Sequence, residues 1–519
     1  MEAAAQALAV GAAAAARAGA HAVGLGDEHQ CFLYDLAHTA SAMKICEPLL
    51  DWGSRGEAEA GLACGFIADV LGEFQARLFA RESQWGLEAG VLDGVRDFVA
   101  AYRDPAFVAA LAGVEAPSHL DEDFELVGQT FRRFGQDKIA SAAEHIHRAD
   151  ADIDEEIISG LAELGCFGLS VPEEYGGFAS GTESDYLGMV IATEELSRAS
   201  LGAGGSLITR PEILTRALER GGTEEQKRHW FPRIATGETM VAVAVTEPDY
   251  GSDVANLAVT ANPTEGGWLI SGTKTWCTFA GRADVLMLLA RTDPDRRKAH
   301  RGLSLFIVPK PRAAGHSFQF SGERSGTIEG RAIPTLGYRG MHSFEIAFDN
   351  WFVPAENLIG GSDGIGQGFY LQMAGFENGR LQTAARAVGV MQAAYDEARS
   401  YAQERRVFGQ PIAEYQLTQA KLGRMAAIIA AARQYSYEVA RMMARGNGAL
   451  EASMIKAYVC KAAEWVTREA QQLHGGFGYA EEYTVSRLFV DARVLSIFEG
   501  ADETLCLKVI ARRLQAQHA

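Results

Sequence analysis

The sequence lacks paired cysteines, a long apolar run and any excess of positive charge. Its seven cysteines (Cys31, Cys46, Cys64, Cys166, Cys277, Cys460 and Cys506) are scattered, with no C-x-x-C spacing. Neither a disulfide framework nor a structural zinc site is supported, and a reducing compartment fits best. No stretch reaches the roughly 18 consecutive strongly apolar residues of a membrane span. The Ala-rich opening MEAAAQALAVGAAAAARAGAHAVG carries Glu2 where a secretory leader would be basic. It reads as a first helix rather than a signal peptide, so the expected location is the cytoplasm. The formal net charge of −19 argues against nucleic acid or an anionic membrane surface as partner. An anionic small molecule held by local basic residues remains compatible. A P-loop is missing too, and GGSDGIGQGF (360–369) is not preceded by a parallel strand in a βαβ unit, which disfavours a Rossmann site.

What is present is a soluble globular composition, 48% hydrophobic and 22% charged over 519 residues, long enough for about three units. Up to Pro117 the chain is rich in Ala, Leu and Glu, and 31–53 and 59–82 read as amphipathic helices. APSHLDED, from Ala116, reads as a hinge before a second helical block that is broken by PEEYGGFASGTES. The period then shortens to that of strands: MVAVAV (240–245), LAVTA (257–261), WLISGTK (268–274), VLMLLA (285–290), LSLFIV (303–308) and FEIAF (344–348), with turns such as NPTEGG between. Long helices return from Gly364. The fold class is therefore α+β with segregated blocks. The expected domains are a helical extension (1–120), a helical domain (121–237), a mostly antiparallel β-domain (238–357) and a helical bundle (358–519).

Several motifs invite a ligand reading beside a plain structural one. VTEPDYGSD (245–253) follows a strand, and Pro248 and Gly251 force an irregular loop that exposes backbone N–H groups with the hydroxyls of Thr246 and Ser252. It is either a contact for a flat heteroaromatic ring and a phosphate or an ordinary hairpin connection. In TKTWCTFAG (273–281), Trp276 offers a stacking plane and Thr278 a hydroxyl one strand period away, on the same face; the alternative is a core tryptophan. ERRVFGQPI (404–412) ends a helix in two arginines, either complementing the helix dipole or gripping a pyrophosphate. QLHGGFGY (472–479) breaks a helix with glycines that let a ligand approach backbone. In LSIFEGADETL (495–505), Glu499 follows an apolar run and precedes Gly500; it is either a helix-end surface residue or a carboxylate kept dry to take a proton.

In this order, and with CFGLSVPEEYGG (166–177) and RLFVDARVLSIFEG (487–500), these segments resemble the acyl-CoA dehydrogenase family from about Glu122 onward. The resemblance implies a helical domain, a β-domain and a four-helix bundle around FAD, in a homotetramer or homodimer. It implies that Val245 and Thr246 touch the isoalloxazine ring and that Trp276 and Thr278 lie against its other side. Ser252 would contact acyl-CoA, and Arg380 would lie near the pantetheine. Arg405, Phe408, Gln472, Gly475 and Gly476 would hold the pyrophosphate and adenosine across a subunit interface. Glu499 would be the catalytic base, and the Gly500 region would donate a backbone hydrogen bond to the thioester carbonyl. Two positions depart from the family pattern. Ala501 stands where a threonine usually helps bind FAD, with Glu503 altered nearby, and Gly379 stands where some members carry their base. Glycine cannot abstract a proton, so Glu499 keeps that role.

Proton abstraction α to a thioester calls for a carboxylate withdrawn from water, with hydrogen bonds to the carbonyl that gains charge. The implied reaction is α,β-dehydrogenation to a trans-2-enoyl-CoA, with electrons passed from FAD to electron-transfer flavoprotein. The extension, together with GSLITRPEILTRALERGGTEEQK (205–227), looks like the family branch that oxidises (2S)-methylsuccinyl-CoA to mesaconyl-CoA in the ethylmalonyl-CoA pathway. Such a substrate carries a free carboxylate that needs a cation. Arg210 is a candidate, and a simple helix-start arginine before Pro211 is the alternative. Other acyl-CoA substrates, an oxidase or flavin monooxygenase on the same scaffold, and a non-catalytic CoA-binding protein are the competing functions. The extension's amphipathic helices must bury a face, over the active-site mouth or at an oligomer interface.

Overall fold

The computed structural model describes residues 1–519, apart from the side chains of Glu183, Ser184 and Glu323. In chain order it is helical at both ends with a β-domain between, as the resemblance implies. The chain forms two compact units, residues 1–126 with 383–519 and residues 127–382.

The first unit is helical apart from one short antiparallel pairing of Arg406–Val407 with Gln410–Pro411. The Ala-rich opening is a helix, Glu2–His21, and the two amphipathic stretches form Gln30–Trp52 and Glu57–Leu78. Gly11 sets how closely these helices approach, since a Cβ there would lie 2.5 Å from Leu71 and 2.7 Å from Met43. The extension packs on the long C-terminal helices Gln416–Ala444 and Ala449–His474. Ala37 and Ala40 meet Met454, Ala457, Cys506 and Ile510 in one apolar cluster. Gly423 is required by close approach, because a Cβ would fall 1.9 Å from the Val108 carbonyl oxygen. Arg424 ties the layers together, reaching Asp69 at 2.7 Å and Glu73 at 2.6 Å.

The second unit holds a helical segment and the sheet. Its strands are β1 (Val241–Ala244), β2 (Thr260–Thr264), β3 (Gly267–Thr278), β4 (Val285–Arg291), β5 (Leu303–Pro309), β6 (Ser317–Ser321), β7 (Thr327–Ile333) and β8 (Ser343–Pro354). Their order is β1-β4-β2-β3-β8-β7-β6, with β5 on the other side of β4. All pairs are antiparallel except β4 with β1 and β2. β4 is buried along its whole length, and with β5 it meets the helices Thr209–Gly221 and Glu224–Ala235 in a core that includes Leu214, Phe231, Met287 and Leu305.

The structure departs from the sequence expectation in three places. β2 starts at Thr260, not Leu257, because Leu257 closes the turn Val254–Asn256; the Asn262–Thr264 stretch read as a turn pairs with β3. β6 and β7 carry no apolar run, and the sequence did not mark them as strands. They pair with each other and β7 with β8, burying mainly alternate residues such as Phe318 and Ile328. Finally, a register shift between Lys274 and Cys277 puts Trp276 at φ 57°. Strict alternation therefore does not run through Trp276, which is 55% exposed while Thr278 is buried.

Candidate active site

In the second unit the loop after β1 is fastened to β3. Thr275 N donates to the Thr246 carbonyl at 2.8 Å. Lys274, wholly buried, donates from Nζ to the Val245 carbonyl and to Glu247 Oε1, each at 2.8 Å. Burial lowers the Lys274 pKa, and the Glu247 charge opposes that shift. Glu247 in turn accepts from the backbone N–H of Ala258 and Val259, at 2.6 and 2.9 Å. Val245 is buried and Thr246 half-buried beside the exposed Trp276 indole, with Ser252 exposed further along the loop. Thr278 Oγ1 lies 3.1 Å from Ser343 Oγ. The structure thus brings Val245, Thr246 and Trp276 to one end of β1 and β3. The Lys274–Glu247 pair that holds them was missed from the sequence, although a lysine inside a strand flanked by threonines was a signal for it.

The helix Thr209–Gly221 supplies Arg210, only 6% exposed despite its place in the first turn. Its Nη2 donates to Tyr338 Oη at 3.1 Å. Glu212 on the same helix accepts from Asn378 Nδ2. Asn378, Gly379 and the half-buried Arg380 belong to the helix Gly368–Glu404. Gln372 and Gln382 of that helix are completely buried, with side-chain amides that meet no hydrogen-bond partner among the described residues. These buried amides were also missed, because glutamine in a helix carries no sequence mark of burial.

In the first unit the turn after the helix Thr484–Leu495 carries Glu499 at φ 54° and Gly500 at φ 97°. The second value favours glycine, and a Cβ on Gly500 would sit 3.1 Å from Leu505. Lys456 Nζ donates to the Gly500 carbonyl at 2.5 Å, and Asp502 N donates to the Ser496 carbonyl at 3.1 Å. The buried Arg386 guanidinium lies 4.7 Å from the Phe498 ring centroid. Glu499 is half-buried, with its Oε2 atom out of contact with solvent.

The same unit brings the two arginine- and glycine-bearing motifs together. Arg406–Val407 and Gln410–Pro411 form a two-residue hairpin around Phe408 (φ 52°) and Gly409 (φ 93°). This leaves Phe408 96% exposed. Arg405 lies 5.9 Å from the Phe477 ring, and Tyr401 stacks on His474 at 4.1 Å. Gly475 N donates to the carbonyl of the exposed Gln472, and a Cβ on Gly475 or Gly476 would meet nothing within 4 Å. Open backbone, exposed aromatic faces and an exposed guanidinium fit the phosphate and adenine end of FAD. The exposed Trp276 indole with the Val245–Thr246 loop fits its ring end.

Each set, taken within its own unit, has the chemistry that a flavin-dependent oxidoreductase requires. The chain matches three family models: Acyl-CoA dehydrogenase, N-terminal domain, at residues 121–238; middle domain at 242–351; and C-terminal domain at 366–515. It is 39% identical over 513 residues to the (2S)-methylsuccinyl-CoA dehydrogenase of Cereibacter sphaeroides, covering 94% of this chain and 91% of that one. Among solved structures it is similar to a glutaryl-CoA dehydrogenase in complex with glutaryl-CoA (31% identity, TM-score 0.70, 78% of this chain and 98% of that one). It also resembles a glutaryl-CoA dehydrogenase from Mycobacterium smegmatis in complex with FADH2 (25% identity, TM-score 0.66, 77% and 96%). The chain belongs to the acyl-CoA dehydrogenase family, FAD-dependent oxidoreductases that act on the CH–CH group of acyl-CoA thioesters. No described helix is long and apolar enough to cross a membrane.

Proposed function

We propose that this enzyme oxidises (2S)-methylsuccinyl-CoA to mesaconyl-CoA, a step of the ethylmalonyl-CoA pathway, and passes the electrons to electron-transfer flavoprotein in the cytoplasm. The observation that carries the substrate is the reach of the match to the Cereibacter sphaeroides enzyme. It spans 94% of the chain, so it includes most of the extension, whereas the glutaryl-CoA dehydrogenase structure matches 78%. A homotetramer or homodimer of the four expected domains is the working assembly.

In this reading Glu499 takes the α-proton. Its turn carries the charge beside an apolar run, and the Gly500 backbone leaves room for the thioester and a hydrogen bond to its carbonyl. Bound FAD supplies the acceptor for the β-hydride. Val245, Thr246, Trp276 and Thr278 orient its ring end. Arg405, Phe408, Gln472, Gly475 and Gly476 hold its phosphates and adenosine, and Ser252 and Arg380 grip the CoA portion. Arg210 neutralises the substrate's free carboxylate, and its burial makes a single charge-assisted contact there effective.

The test is anaerobic bleaching of the flavin absorbance by (2S)-methylsuccinyl-, butyryl-, isobutyryl- and glutaryl-CoA. Fast bleaching by methylsuccinyl-CoA alone is the expected result. Preference for butyryl- or isobutyryl-CoA would retain the dehydrogenase and discard the carboxylate pocket. Rapid reoxidation by oxygen would point to an oxidase instead, and a protein that purifies colourless to a CoA-binding scaffold.

A further inference from the structure

The extension helix Gln30–Trp52 reaches the turn that carries Glu499. Two residues beyond Gly500, Asp502 opens the C-terminal helical run Asp502–Thr504, with Ala501 as the residue before it. Asp502 does not spend its carboxylate on capping that run. Its Oδ2 instead accepts from Tyr34 Oη at 2.5 Å and lies 3.1 Å from His38 Nε2. His38 and Asp502 are 8% and 4% exposed, so these hydrogen bonds are made out of water, where a charge-assisted bond is strong and an unmade one costly. Tyr34 and His38 also pack edge to face, with ring centroids 4.7 Å apart. The backbone N–H of Asp502 closes the turn on the Ser496 carbonyl, while Lys456 of the helix Ala449–His474 fixes the Gly500 carbonyl. The turn from Ser496 to Asp502 is therefore held at its base by the extension and at Gly500 by Lys456 of the bundle.

We infer that Tyr34, His38 and Asp502 form a clamp by which the N-terminal extension positions the Glu499 turn for proton abstraction. These three are positioning residues; none is assigned contact with substrate. The inference rests on Glu499 being the base. It gives the extension a part in the reaction beyond adding bulk. Asp502 holds the near end of a two-residue lever (Gly500 and Ala501), so a small shift of its carboxylate moves the Glu499 backbone. A misplacement on the order of 1 Å costs a catalytic group about 100-fold in rate.

The experiment compares the flavin-containing full-length enzyme with His38→Phe, His38→Gln, Tyr34→Phe and Glu499→Gln. The probe is whichever acyl-CoA bleaches the wild type fastest. Three quantities are read: the limiting bleaching rate, the half-saturating substrate concentration, and amide hydrogen exchange of the 496–505 segment. The clamp requires His38→Phe to lower the limiting rate about ten-fold with half-saturation little changed, and to speed exchange in that segment. His38→Gln, which keeps a donor at the same reach, should recover most of both. Should His38→Phe fail to fold, Tyr34→Phe removes only a hydroxyl and should still slow bleaching and loosen the segment. The clamp is overturned when both aromatic variants bleach at the wild-type rate, or when rate, half-saturation and flavin content fall together with no recovery in His38→Gln. Undiminished bleaching by Glu499→Gln would instead remove the base itself; an inactive Glu499→Gln beside fully active His38→Phe and Tyr34→Phe removes the clamp alone.

Discussion

Lys274 and Glu247 face each other across 2.8 Å, both buried, and between them they hold the Val245 carbonyl and the N–H groups of Ala258 and Val259. One ion pair thus fixes both the entry and the exit of the loop expected to meet the flavin ring. Removing one partner of a buried pair leaves a charge without compensation and costs about 3–5 kcal/mol. Lys274→Met should therefore unfold at lower denaturant by that amount and retain little flavin. Lys274→Met combined with Glu247→Gln should recover part of the stability, because no naked carboxylate remains. Urea titration of the three proteins, with the flavin-to-protein absorbance ratio, checks this.

The Glu499 turn separates chemistry from backbone strain. Glu499→Gln keeps shape and volume and removes the base. Flavin content and melting temperature should stay near wild type while the bleaching rate falls about 10²–10⁴-fold. Gly500→Ala acts differently: it forces a side chain onto φ 97° with a 3.1 Å approach to Leu505. It should lower stability by about 1–3 kcal/mol as well as slowing the reaction. A Glu499→Gln protein with normal turnover would reject the assigned base.

Arg210 tests specificity. It is buried, and its Nη2 meets Tyr338. Arg210→Met should raise half-saturation for a dicarboxylic acyl-CoA by about ten-fold or more, the scale of a lost charge-assisted hydrogen bond. For butyryl-CoA the change should be small. Equal losses on both substrates would make Arg210 a structural residue of its helix.

How much of this was legible depended on what kind of signal each part leaves. β4 and β5 announce themselves as unbroken apolar runs, whereas β6 and β7 are flanking strands whose outward residues are polar, and only pairing reveals them. The motif residues drew attention because glycine, arginine and aromatic side chains cluster there at turns. The positive φ of Trp276 was not, since tryptophan rarely adopts it and only the register shift beside it explains its exposure. Amphipathic helices in the extension foretold burial of a face but not its partner. The contact of His38 with Asp502 spans 464 residues, a separation no local pattern encodes.

Phe408 offers a test of the dinucleotide end that folding cannot confuse. The side chain is 96% exposed at the tip of its hairpin, so its removal should change stability by less than about 0.5 kcal/mol. If it covers FAD, Phe408→Ala should melt like the apoprotein of the wild type yet lose flavin on dilution. Equal flavin retention would assign the exposed ring to another contact.

His342 is 8% exposed, with its ring centroid 4.4 Å from that of His316. Its Nε2 lies 2.9 Å from Asp152 Oδ1 and its Nδ1 3.7 Å from Asp150 Oδ1. Burial and then the neighbouring His316 push its pKa below the ordinary histidine value of 6.5, and Asp150 and Asp152 only partly offset them. The unfolded chain therefore takes up this proton before the folded one does, so the stability that neutral His342 preserves is full above pH 6.5. It is lost as pH falls through that value toward the folded pKa. His474, lowered by burial as well, adds to the loss from the first unit. Melting temperatures should thus drop between pH 7.5 and 5.5, and His342→Gln should show a smaller drop than the wild type over the same interval. An identical drop in both would place the acid sensitivity elsewhere, with His474→Gln the next variant to measure.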